Sequence, residues 1–268
     1  MAVYAAVVSH MDRAVGDLVA GLKQRGVLDN TLILFMSDNG GNAESGAKGR
    51  TDGDPTNGKS DWCCGESWAF LENTPFRRYK HFTHEGGIST PLIAHWPAGI
   101  SVKNELRKQP GHVIDIVPTC LAVAGANYPT AVDGTTITPL EGRSLVPAFS
   151  NQPIIRQALF WEHEGNAAVR VGDLKLVRSG KTTPWELYDL AKDRTEQHSL
   201  ASIRSQDVSD LAARWDAWAV RARSFPPHLA RATRKRTRRR KNKPKNAVGI
   251  KLPPQKWSPR QPQNTDAQ

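Results

Sequence analysis

Thr31 is followed by five apolar residues, Leu32-Ile33-Leu34-Phe35-Met36, and the run stops abruptly at Ser37-Asp38-Asn39-Gly40-Gly41. A short apolar run bounded by turn residues predicts a strand buried on both faces of a sheet. Ligands of open α/β sheets bind beyond the carboxyl ends of such strands. Here that end carries a carboxylate and a carboxamide side by side, then two glycines that let main chain approach closely. Asp38 and Asn39 offer hard oxygen acceptors, which suit Ca²⁺ or Mg²⁺ better than zinc. The other reading of the same dipeptide is an Asx-turn that only caps the strand.

The surroundings of this strand predict an α/β fold. Val7, Met11, Val15, Leu18 and Leu22 recur at spacings of three and four, an amphipathic helix over 3–26 ending near Gly26. A short turn joins it to the strand, as an αβ unit requires. Residues 40–72 are rich in Gly, Asp, Ser and Asn, with Trp62, Trp68 and Phe70 toward the end. They predict a long loop, placed to act as a lid at the mouth of a metal site. Residues 91–96 predict a second buried strand, and 114–124 a helix with Pro118 in its first turn. After Phe149 the pattern becomes four short alternating strands, near 158–163, 167–171, 174–177 and 185–188, then a helix over 208–221. Alternation predicts an antiparallel sheet with one face buried, and Leu211, Trp215 and Trp218 could cover it. The expected organisation is an α/β part at 1–148, a small antiparallel α+β subdomain at 149–225, and a tail at 226–268.

The tail explains the charge. From Arg231 onward, 13 Lys and Arg stand against one acidic residue, Asp266, while the whole chain of 268 residues is +11. Residues 1–230 are therefore close to neutral, and the basic balance describes the tail alone. Its like-charged and Pro/Gln-rich composition predicts disorder, either as a solvated arm or as one that binds polyanions. Three cysteines, two of them adjacent (Cys63, Cys64, Cys120), make neither a disulfide framework nor a zinc pattern. The opening Met1-Ala-Val-Tyr-Ala-Ala-Val-Val is apolar but lacks a basic n-region and runs into a helical pattern, so it is not expected to act as a secretory leader. No stretch approaches the roughly twenty apolar residues of a membrane span.

A second informative segment is Asn73-Thr-Pro-Phe-Arg77-Arg78-Tyr79-Lys80-His81-Phe-Thr-His84-Glu85-Gly86-Gly87, leading into Leu92-Ile-Ala-His95. A basic cluster, two histidines and a glycine pair before a strand could hold an oxyanion close to a metal. In order along the chain stand His10-Met-Asp-Arg13, Ser37-Asp-Asn-Gly40, Asn73-Thr-Pro-Phe-Arg77, Tyr79-Lys80 through Gly87, His112-Val-Ile-Asp115, and Trp185-Glu-Leu-Tyr188-Asp-Leu190. Together they resemble the sulfatase family of the alkaline-phosphatase-like superfamily, over residues 3–222. None of these motifs is specific alone; their order is.

The resemblance implies that Asp38 and Asn39 ligate Ca²⁺, with Mg²⁺ the alternative. It implies that Lys80 binds the sulfate ester and stabilises charge on the leaving oxygen, and that His84 and His163 contact substrate. The segment Glu162-His163-Glu164-Gly165-Asn166 could equally be a solvated hairpin turn. His10 and His112 are expected to hydrogen-bond within the fold. Sulfatases use a formylglycine made from Cys or Ser in a Cys/Ser-x-Pro-x-Arg context, and none of the three cysteines stands in one. The expectation is therefore the C-terminal portion of a sulfatase catalytic domain, beginning after the nucleophile segment and inactive alone. An export signal on a longer form would place it in the periplasm or outside the cell. The alternative is a non-catalytic binder of sulfated or other anionic polymers.

Overall fold

A computed structural model describes residues 1–60 and 62–224; the basic tail expected at 226–268 lies outside the described residues. The elements are helix α1 (Ala2–Gln24), strand β1 (Ile33–Met36), α2 (Glu66–Glu72), α3 (Glu85–Ile88), β2 (Leu92–His95) and α4 (Ile116–Ala124), then a hairpin of β3 (Ala131–Val132) and β4 (Thr135–Thr136). The short helix α5 (Val146–Phe149), strands β5 (Leu159–His163), β6 (Asn166–Val171), β7 (Leu174–Arg178) and β8 (Glu186–Asp189), and helix α6 (Ser205–Arg221) complete the order. No described helix is long and apolar enough to cross a membrane.

The first apolar strand forms, but with different surroundings from those expected. Among the described residues β1 has one partner, β2, paired antiparallel from Ile33 opposite His95 to Met36 opposite Leu92. Neither strand is buried on both faces: Phe35 is 38% exposed and Ile93 61%. Side chains alternate across a strand, so Ile33 and Phe35 share one face, and that face meets α1 along Val8, Met11, Val15 and Val19 around a groove of about 440 Å³. The predicted stripe on α1 is correspondingly only half used. Val15 and Leu22 are half-buried, whereas Val7, Met11 and Leu18 are exposed, and the helix fully buries no residue.

Helix α2, the short helices α3 and α5, and the β3–β4 hairpin went unread in the sequence. The loop after Gly40 ends in helix α2 with Gly65 at its N-cap, so Trp68 and Phe70 are helical. The β3–β4 hairpin turns through Asp133-Gly134, both with positive φ (47° and 74°). That is the backbone a two-residue hairpin demands, and Asp-Gly was its signal. Helix α4 is entered as expected through His112. The His112 ring accepts from the Ile114 N–H at 3.3 Å, and Asp115 accepts from the His112 N–H at 2.8 Å, completing a capping box. Asp115 also pairs with Arg156 (2.6 Å) and accepts from the Arg143 N–H (2.7 Å), so this motif ties three separated segments together.

The last four strands form an antiparallel meander in the order β5-β6-β7-β8. On one face Ala167, Val169, Leu176 and Leu187 pack with Leu211, Trp215 and Ala219 of α6. The opposite face was expected to be solvated, and it is not. Lys175, a polar position of the alternation in β7, is 0% exposed. Its ammonium lies 2.8 Å from Glu85 Oε1 and 2.8 Å from Glu196 Oε1, and Glu196 Oε2 accepts from the Glu85 N–H at 2.8 Å. Burial alone would raise the Glu85 carboxyl, but attraction to Lys175 outweighs it and the group sits below the ordinary carboxylate range. The polar residue is inside because two carboxylates meet it there. Replacing one member of a buried ion cluster strands the others, at a cost of about 3–5 kcal/mol. Lys175→Met is therefore expected to lower unfolding stability by about that amount in urea titration, and an unchanged midpoint would contradict the assignment.

Candidate active site

The loop after β1 is bonded to the loop before α3 by main chain. The Gly40 N–H donates to Gly87 O (3.1 Å), the Gly41 N–H to Asn73 Oδ1 (3.0 Å), and Gly41 O accepts from the Lys80 N–H (3.0 Å). Thr90 Oγ1 donates to Ser37 O at 2.8 Å, closing the other side. These bonds hold the Asp38–Asn39 corner against the segment that carries Lys80. The approach is too close for side chains: a Cβ at Gly40 would fall 1.9 Å from Gly86 O, and one at Gly86 would fall 2.2 Å from Arg78 O. Both obstacles are backbone. Overpacking of this kind costs about 1–3 kcal/mol, so Gly40→Ala is expected to destabilise by at least the lower figure. Differential scanning calorimetry would read it as a lowered melting temperature.

Asp38 is exposed and Asn39 half-buried. Among the described residues the Asp38 carboxylate makes no hydrogen bond or ion pair, and Asn39 takes part only through its carbonyl, which accepts from Ser37 Oγ at 2.8 Å. Lys80 pairs with Glu44 Oε1 at 3.1 Å. Hydrogen bonds from Lys80 and then Asn42 hold Glu44 below the ordinary carboxylate range. Glu44 lies in the long loop and was not among the residues the sequence reading singled out there; Asn42 Oδ1 accepts its N–H at 2.7 Å in a local turn.

His163 stands at the end of β5, where Glu164-Gly165 make a two-residue turn with φ of 51° and 93°. The segment is thus a hairpin turn, yet it does not point away into solvent alone. His163 Nε2 lies 2.9 Å from His81 Nδ1, and His81 Nε2 lies 3.0 Å from Glu44 Oε1. Lys80 and His81 therefore converge on Glu44, and His163 meets the other nitrogen of the His81 ring. His84 is not among them. It is fully buried at the N-cap of α3, and its Nε2 faces Glu186 Oε2 at 3.7 Å, beyond hydrogen-bond length.

Glu186 anchors the underside of the loop. Arg77 lies 2.5 Å from its carboxylate and 2.9 Å from the Tyr188 hydroxyl, which itself donates to Glu186. The His84 ring, Tyr188 and Arg77 together outweigh burial and hold the Glu186 carboxyl down from its ordinary 4.5 to about 2. A carboxyl depressed on folding contributes stability that is complete above its unfolded value and is lost as pH falls through the folded one. Stability is expected to decline between pH 4.5 and about 2 on this account. Glu186→Gln should be less stable at neutral pH and show a shallower decline in that window, which urea midpoints measured against pH would reveal.

Two family models match the chain: Sulfatase over residues 1–126, and N-sulphoglucosamine sulphohydrolase, C-terminal, over residues 76–215. The chain is 32% identical over 235 residues to an uncharacterized sulfatase of Schizosaccharomyces pombe, covering 80% of this chain and 42% of that protein. Human N-acetylgalactosamine-6-sulfatase is 26% identical over 77% of this chain and 35% of its own length. Among solved structures, Ps i-CgsB is similar with a TM-score of 0.62 at 27% identity, over 81% of this chain and 42% of that one; it has also been crystallised in complex with k-i-k-neocarrahexaose. The chain thus spans less than half the length of these relatives.

Proposed function

The chain belongs to the sulfatase family, and from that premise we propose that it carries the cation-holding and sulfate-holding part of a sulfuric ester hydrolase site. The observation that supports this reading is the main-chain clamp between Gly40-Gly41 and the Lys80–Gly87 segment, which bonds the strand end carrying Asp38 and Asn39 to the segment carrying Lys80. The donor set fits a hard cation: the Asp38 carboxylate has no protein partner among the described residues, and the Asn39 side chain is likewise uncommitted. Asp38 and Asn39 would hold Ca²⁺. Bound there, the cation would polarise a sulfate oxygen as a Lewis acid.

Lys80 places a positive charge where negative charge collects on the ester, with Glu44 holding its ammonium until an anion arrives. His163 meets the substrate from the hairpin above. His84 acts from beneath, as a positioning residue next to Glu186. The cysteines do not fit the nucleophile's role. None stands in a Cys-x-Pro-x-Arg context, and the Cys64 thiol is pushed up by burial and then by Glu72, away from the reactive thiolate. Hydrolysis in this reading needs a nucleophile from outside these residues. The substrate class is a sulfated saccharide, supported by the relatives named N-acetylgalactosamine-6-sulfatase and by the similar structure that holds k-i-k-neocarrahexaose.

The test has two arms on the folded 268-residue chain. Calorimetric titration should show Ca²⁺ binding that disappears in Asp38→Ala. A sulfated oligosaccharide should bind in a salt-dependent manner and lose roughly ten- to hundredfold affinity in Lys80→Ala, the range of a hydrogen bond to a charged group. No sulfate should be released from an aryl sulfate ester. Release that Lys80→Ala abolishes would show that the chain has its own nucleophile.

A further inference from the structure

We propose that His81, His163 and Glu164 form a second cation site, one that takes Zn²⁺. The ligand atoms of these three residues all lie within 4.8 Å of one another. His81 Nδ1 is 2.9 Å from His163 Nε2 and 3.3 Å from Glu164 Oε2. Donors arranged tetrahedrally around zinc at about 2.0–2.1 Å stand roughly 3.3 Å apart, so the two separations from His81 Nδ1 are already close to what the ion requires. Closing the set asks only that the exposed His163 and Glu164 side chains turn toward each other. Two imidazoles and one carboxylate form a mixed nitrogen and oxygen set that zinc accepts and Ca²⁺ does not favour. The set differs in kind from the oxygen donors of Asp38 and Asn39.

The surroundings of His81 support the assignment. Its Nε2 faces Glu44 Oε1 at 3.0 Å, so that nitrogen is the donor to an acceptor-only carboxylate. Its Nδ1 faces a carboxylate oxygen and a second imidazole nitrogen, both of them groups that ligate zinc. A carboxylate on the far nitrogen of a metal-bound histidine is also the usual outer support of zinc sites, fixing the ring and raising its basicity.

The backbone beneath is built for the same convergence. Asn166 is 9% exposed, and its Nδ2 donates both to His81 O (2.9 Å) and to His163 O (3.0 Å). Its Oδ1 accepts from the Gly180 N–H at 3.0 Å, so the third contact of this buried amide fixes the group whose other two tie the backbones of the two histidines together. His81 and Glu164 both sit at positive φ (79° and 51°), a conformation non-glycine residues rarely adopt without a local reason. His163 and Glu164 are exposed, which leaves a path for the ion and a fourth position open to solvent.

The probe is Zn²⁺ itself, added to the full chain with any affinity tag removed. One zinc per chain should bind, and X-ray absorption of the loaded wild-type protein should show two imidazoles and no sulfur. His163→Ala should remove the binding. Glu44→Gln should weaken it by about 10- to 100-fold, as loss of an outer carboxylate does. Asp38→Ala should leave it unchanged, which separates this site from the Ca²⁺ reading. A folded chain that takes up no zinc, zinc held by the Cys63–Cys64 pair and seen as a sulfur shell, or affinity unaltered in His163→Ala would each overturn the proposal. The absorption measurement needs no variant, so a substitution that fails to fold does not rescue it.

Discussion

The buried contact of Lys175 with Glu85 and Glu196 is the constraint on which the arrangement depends. It joins β7 of the meander to α3 of the preceding α/β segment and to the turn after β8. Without partners, an ammonium at 0% exposure would be untenable. With them, it fixes where α3 lies, and α3 is the continuation of the loop that bears Lys80. The Arg77–Glu186–Tyr188 group repeats the device a short distance away, from the same loop to β8. The meander is therefore more than an appended layer. It is the floor against which the loop bearing Lys80 is set.

The site above that floor depends on glycine on both sides. Gly40 and Gly41 end one apolar strand, Gly86 and Gly87 begin the approach to the other, and the two pairs touch through backbone atoms. Strand pairing between β1 and β2 sets the register of these loops, since Met36 stands opposite Leu92. A short antiparallel ladder with an interlock of glycines at its end is enough to hold the strand end carrying Asp38 and Asn39 against the segment carrying Lys80.

Much of this was legible in the sequence because it is written in local periodicity. The four strands after Phe149 and the helix that covers them were found nearly at their observed bounds, through alternation and through Leu211 and Trp215. The strand end at Ser37-Asp38-Asn39-Gly40 was found through an abrupt change of composition. What local pattern cannot carry is the identity of a distant partner. Lys175 reads as a solvated residue because its carboxylates lie 90 and 21 positions away in the chain at Glu85 and Glu196. The apolar run of β1 reads as doubly buried because hydrophobicity alone does not state how many elements surround a strand. Glu44 sits in a segment with no period at all, and only its spatial neighbours Lys80 and His81 reveal it.

The clamp between Gly40-Gly41 and the Lys80–Gly87 segment has one further consequence. Apart from Asn73 Oδ1 and Thr90 Oγ1, its bonds run from peptide to peptide. Peptide groups are common to every residue type, so the frame places few demands on the side chains that project around it. The side chains around it can therefore change, residue by residue, while the bonds that hold the Asp38–Asn39 corner stay as they are.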